Sequence, residues 1–166
     1  MRIIKLGIIS IIVFSLLITG ISLFFPSHVR ISKAIDINSN KDTVLAQINN
    51  AANWQKWYPG ADSMDLFMEQ GKVKGLQLDS LQAVISITGS SDSSVTAATS
   101  GPGIRKVTTG WNLYPSSAPN TVTVQWYMDF HLRWYPWEKF SSLLLEKRYG
   151  PVMEKGLSNL KILLEK

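Results

Sequence analysis

The chain has 166 residues, no cysteine and a formal net charge of +5, with no basic run longer than Arg105-Lys106 or Lys147-Arg148. Disulfides, thiol nucleophiles and cysteine metal sites are thereby excluded. So is the clustered positive footprint that nucleic-acid binding requires.

The first element is apolar. Leu6 to Ser27 is a run of 22 residues without a charge, preceded only by the charged residues Arg2 and Lys5. At about 1.5 Å per residue it is long enough to cross a hydrocarbon core of about 30 Å as one helix. A cleaved signal peptide is the alternative, with Gly20-Ile21-Ser22 as its small-x-small site, but Leu23, Phe24 and Phe25 continue the apolar run beyond it. Residues 1–27 are therefore expected to be a single-pass transmembrane signal anchor in the cell membrane, and residues 28–166 one domain. Arg2, Lys5 and the terminal amine precede the span and Arg30 and Lys33 follow it, a slight positive-inside preference for an extracytoplasmic domain.

Val29 to Ile37 has strand period, with Val29, Ile31, Ile35 and Ile37 on one face and Arg30, Ser32 and Asp36 on the other. Lys33 is the one charge on the apolar face, where its stem either snorkels out at a sheet end or brings a cation into the interior. Ser39 to Asp42 reads as a helix N-cap, and Val44, Leu45, Ile48, Ala51 and Ala52 follow at helical spacing. A short helix over Asn53 to Tyr58 would place Trp54 and Trp57 on one side before Pro59-Gly60 ends it.

Short strands are then predicted at Asp65 to Met68, Val73 to Leu78, Leu81 to Thr88, Ser94 to Thr99 and Ile104 to Tyr114, divided by turn residues. The clearest strand is Thr121 to Trp134, where Trp126, Met128, Phe130 and Leu132 alternate with Gln125, Tyr127, Asp129 and His131. Pro136 suits the first turn of a last helix, which Gly150-Pro151 is expected to interrupt. Beyond it Met153, Leu157, Leu160 and Leu164 bury one side.

This order of elements resembles the helix-grip fold of the SRPBCC (START-like) superfamily, over about residues 28 to 166. The likeness is carried by the basic strand entering a helix at Val29 to Val44, by Asn53-Trp54-Gln55-Lys56-Trp57, and by Tyr149 to Lys161. The last resembles the closing helix of the polyketide cyclase/dehydrase-like branch. The resemblance implies an α+β fold, a curled antiparallel sheet around a long C-terminal helix, with an apolar cavity between them for a lipid-like or polyketide-like molecule. Trp54, Trp57, Trp111, Trp126, Met128, Phe130, Leu157 and Leu160 are the candidate lining, and Lys33 the candidate polar anchor. The segment Ser63 to Ser80 is short for two full strands and a loop, which points to a small or partly filled cavity.

Catalytic candidates are sparse. Asp129 and His131 share the face of their strand opposite Trp126 and Phe130, and read as a surface salt-bridge ladder. With two His, no Cys and no carboxylate pair beside them, no metal site or cofactor motif is expected. Gly101-Pro102-Gly103 reads as a hairpin turn, His28 as a headgroup-level polar residue, and Glu138, Glu146 and Glu154 as solvated helix charge. The aromatic sets Trp54-Trp57-Tyr58 and Trp134-Tyr135-Pro136-Trp137 read either as core and corner packing or as a cavity mouth or membrane belt. The expected function is membrane-anchored binding of a hydrophobic or amphipathic small molecule without catalysis. The alternatives are a cyclase/dehydrase-type enzyme, with Lys33, Tyr114 or Tyr127 as its polar groups, and an interaction or envelope-maintenance module with a vestigial cavity.

Overall fold

The computed structural model describes residues 2–78 and 82–165; the expected strand start at Leu81, Ser80, and the chain ends Met1 and Lys166 lie outside them. Helix α1 (Arg2–Ser22) leads to strand β1 (His28–Ile37), helix α2 (Lys41–Asn49) and a 3₁₀ turn, Ala51–Lys56. Strands β2 (Asp65–Glu69), β3 (Lys72–Leu78), β4 (Ala83–Ser91), β5 (Ser94–Ser100), β6 (Thr108–Pro115) and β7 (Val122–His131) follow, then helices α3 (Pro136–Ser141) and α4 (Leu145–Leu164). The seven strands form one antiparallel sheet in the order β1-β7-β6-β5-β4-β3-β2. The meander pairs each strand with the next, and β7 returns to pair β1 from His28↔His131 to Ile37↔Val122.

Local chemistry sets the joints. Asn40 caps α2 by accepting from the Asp42 N–H at 3.1 Å, and Asn50 caps the 3₁₀ turn by accepting from Ala52 N–H at 3.1 Å. Gln70 and Gly71, with φ of 51° and 76°, make the tight β2–β3 hairpin turn, since both central residues of such a turn need positive φ. Helix α4 lies along β1 and reaches β7, and the 3₁₀ turn lies against β3. Its far end is tied to β1: Lys161 Nζ donates to Asp36 O at 2.8 Å, and Asn38 N–H donates to Glu165 Oε1 at 2.7 Å.

Three expectations are corrected. Strand β7 stops at His131 rather than Trp134, because its partner β1 begins at His28; beyond that pair Leu132 N–H donates to Ser27 O at 2.7 Å and the chain turns away. Strand β6 starts at Thr108 rather than Ile104, since Ile104 N–H closes a turn onto Gly101 O. Gly150-Pro151 does not interrupt the last helix. Pro151 lies inside α4, and the break falls at the 3₁₀ segment Ser142–Leu144. The residue before a proline resists helical angles partly through its Cβ, which Gly150 lacks.

Candidate functional site

The inward face of the sheet meets α2, the 3₁₀ turn and α4 in two different ways. In the middle the space is filled. Trp54, Trp57, Trp111 and Trp126 are all essentially inaccessible to solvent. Their rings pack on one another at centroid distances of 5.3 Å (Trp54–Trp111), 5.4 Å (Trp111–Trp126) and 5.8 Å (Trp57–Trp111). Trp126 Nε1–H donates to Thr109 Oγ1 at 2.7 Å and Trp54 Nε1–H to Ile48 O at 2.6 Å, which fixes both indoles. Leu157 and Leu160 belong to the same core. Six of the eight residues expected to line a cavity thus fill the space between sheet and helices instead.

Toward the His131 end of β7 the packing opens. A half-open cleft of about 410 Å³ lies between the sheet and the start of α4, walled by Leu78, Ile85, Val107, Met128, Phe130 and Leu145. Met128 and Phe130 are the two expected residues that reach it. Polar groups enter at Tyr58, Thr99, Arg105, Ser141 and Tyr149. Tyr149 packs its ring on Phe130 at 5.0 Å. Burial pushes the Tyr58 phenol up to about 12, so it stays protonated at neutral pH. Tyr58 and Tyr149 stood in the sequence segments read as aromatic set and closing-helix motif; the register that brings them to one cleft is long-range. A larger depression, about 630 Å³, sits at the opposite end of β7 beside Leu113 and Val122, lined also by Lys41, Ser94, Asn112 and Tyr114.

The charged candidates are engaged elsewhere. Lys33 reaches across to α4 and pairs with Glu146 at 2.7 Å and Glu154 at 2.9 Å; these hydrogen bonds raise its pKa to about 12. Gly150 makes room for that crossing, since a Cβ there would stand 3.3 Å from Lys33 Cε. As a polar anchor Lys33 is therefore already occupied, and Glu146 and Glu154 are not merely solvated. Glu138 is buried too. It accepts from Arg133 N–H at 2.7 Å and from the Arg105 guanidinium; burial alone would raise its pKa, and these donors hold it below the usual range.

Asp129 lies on the face opposite Trp126, as expected, yet it does not point to solvent. Its cross-strand partner Arg30 donates from Nε and Nη2 to the two carboxylate oxygens, each at 2.7 Å, and His28 Nε2 stands 3.3 Å away. The Arg30 guanidinium, which also lies 4.3 Å above the Tyr127 ring, covers the carboxylate and holds it below its ordinary range despite burial. His28 stacks on His131 at 4.6 Å. Among the described residues no three His, Asp or Glu side chains gather as a metal site.

Helix α1 has a mean hydropathy of 2.4 and no buried residue in its most apolar window, and is long enough to cross a membrane. An anchor and a signal sequence share these properties.

Known structures share the fold. A START superfamily protein from Mycobacterium smegmatis superposes with a TM-score of 0.60 at 13% identity, covering 82% of this chain and 97% of that one. The protein XoxI from Bacillus cereus gives 0.59 at 16% identity, covering 82% and 96%. A protein from Thermobifida fusca gives 0.61 at 14% identity, covering 80% and 90%. A search of curated proteins found no match. The family described as "Polyketide cyclase / dehydrase and lipid transport" matches residues 28–165, so the chain belongs to that family, on a START-like fold of an open seven-stranded antiparallel sheet with a long C-terminal helix.

Proposed function

We propose that the domain binds a hydrophobic or amphipathic small molecule in the cleft between β7 and the start of α4, while α1 holds it at a membrane with the domain on the extracytoplasmic side. The observation that carries this reading is the cleft itself. Its volume of about 410 Å³ falls at the small end of the usual range for small-molecule sites, about 300–1,000 Å³. Its walls are aliphatic and aromatic, and binding at roughly 25 cal/mol per Å² of buried apolar surface needs few polar contacts. A compact ligand or a single acyl chain suits it better than a whole two-chain lipid. Binding without chemistry is supported by the polar groups around it: Tyr58 stays protonated, and Arg105 is held by Glu138. A cyclase or dehydrase would require a general base there, and among the described lining residues none is a carboxylate or an imidazole.

Native mass spectrometry of the detergent-extracted full chain tests the reading. A co-purifying small molecule is expected on the wild type and is expected to be lost in Val107→Trp, which fills the cleft from a half-buried wall position. A wild type without adduct, or an adduct retained in Val107→Trp, would overturn it.

A further inference from the structure

The surface next to the end of α1 carries an unusual density of exposed apolar side chains. Trp134 is 63% exposed, Trp137 68%, and Leu143 and Leu144 each 64%. All four lie in the twelve-residue stretch from Arg133 to Leu144 that joins β7 to α4. Exposed tryptophan and leucine at this density on a soluble surface mark a site that is covered by something.

That stretch is pinned to the end of the apolar helix. Lys139 is buried, and its ammonium donates to Phe25 O at 3.0 Å and Ser27 Oγ at 2.6 Å. Phe140 meets Phe25 edge-to-face at 5.3 Å. Trp137 and Phe140 lie three apart on α3, so the side of α3 that touches the end of α1 also carries the exposed Trp137 ring. Leu23 and Phe24, themselves 69% and 91% exposed, continue the same surface from α1. Exposed Arg133, Lys147 and Arg148 flank it.

We infer that Trp134 to Leu144 is a second membrane contact, a foot that lies in the headgroup and upper acyl region of the bilayer crossed by α1. Continuity identifies the occupant: an apolar surface fixed against the end of a transmembrane helix is at bilayer depth already. Tryptophan favours that interface, and the flanking cations suit lipid phosphates. Ser141 and Leu145, within and just after the foot, also edge the cleft. The foot therefore brings the mouth of the cleft to the lipid surface, where an apolar ligand can pass without crossing water. The inference rests on the reading of α1 as a span, and so deepens the proposed function.

Depth-dependent quenching tests it. The full chain is reconstituted into phosphatidylcholine vesicles with and without lipids brominated on the upper acyl chain, and incorporation is checked by flotation. Of six tryptophans four are buried in the core, so only Trp134 and Trp137 can meet the bromines. Bromolipid is expected to quench part of the wild-type emission, and Trp134→Phe/Trp137→Phe is expected to lose that quenched part while keeping its near-UV dichroism. A chain that floats but whose emission bromolipid quenches no more than that of the double variant would overturn the foot and leave the span standing; a protein partner or a second copy would then cover the surface. A chain that does not float would overturn the span and the foot with it.

Discussion

Gly156→Ala gives the sharpest test of how solidly the centre of the domain is packed. Gly156 faces the indole cluster from α4: a Cβ there would lie 2.5 Å from Trp126 Cζ3 and 2.9 Å from Pro59 Cδ. Neither neighbour can yield easily. Trp126 is fully buried and fixed by its bond to Thr109, and Pro59 is a closed ring. On helix propensity alone the substitution should stabilise by about 1 kcal/mol. Overpacking a close-packed core costs about 1–3 kcal/mol, and two rigid contacts this short belong at the upper end. The net expectation is a loss of about 2 kcal/mol, or roughly 8 °C in Tm at about 4 °C per kcal/mol for a domain of this size. Thermal unfolding of the full chain in detergent, followed by tryptophan emission, measures it. Trp126→Phe removes the ring atom that clashes, so the double variant should recover at least about 1 kcal/mol relative to the sum of the single effects. A raised Tm for Gly156→Ala, or strict additivity with Trp126→Phe, would refute the argument and mean that the centre holds free space.

Asp129→Asn should lower stability at pH 7 by about 1–3 kcal/mol, the worth of hydrogen bonds to a charged partner, since it removes the charge that Arg30 and His28 surround. The folded-state pKa of Asp129 is depressed, so its contribution is present above the unfolded value near 4 and lost as pH falls below it. Urea titrations of wild type and variant should therefore converge as pH falls below about 4; a gap that stays constant would refute the pairing. For Lys33 the sign is opposite. Its pKa is raised to about 12, so the contribution is constant below about 10.5 and lost only as pH climbs toward 12, and because Lys33 is partly exposed it should shrink with added salt. Glu146→Gln/Glu154→Gln should return the Lys33 titration, followed by side-chain NMR, toward its ordinary value; an unshifted titration would show that the two carboxylates do not hold it.

Much of the architecture was readable from short-range pattern. Alternation in Val29 to Ile37 and in Thr121 to Trp134 shows which face is inside, and Asn40 and the Gln70-Gly71 turn act through neighbours in sequence. What escaped depends on partners distant along the chain. The alternation of β7 continues to Trp134, but a strand lasts only as long as its ladder, and β1 offers partners only from His28 onward. Glu146, Gly150 and Glu154 form an acid-glycine-acid line at steps of four on α4. Opposite the lone lysine of an apolar strand face, that line was the available signal for the Lys33 pairing. Strand alternation placed Trp126 on the inward side and helical spacing set Trp54 beside Trp57, yet neither pattern says anything of volume, so a filled core and a cavity wall look the same in sequence.

That ambiguity bears on function, because β7 runs through both regions. Its inward residues Val124 and Trp126 belong to the filled centre, while Met128 and Phe130, and Leu132 just beyond the strand, reach the cleft. From Trp126 to Phe130 is roughly 13 Å at about 3.3 Å per residue. The next inward residue, Leu132, donates its N–H to Ser27, five residues after the end of α1. The cleft between β7 and the start of α4 therefore lies at the end of the sheet nearest the apolar helix. The tryptophan cluster closes the interior behind it, so a ligand held there stays within one strand length of the point where the chain leaves α1. On the proposed reading, a shallow cleft at that end keeps a ligand near the bilayer, whereas a deep cavity reaching the far end of β7 would hold it away from α1.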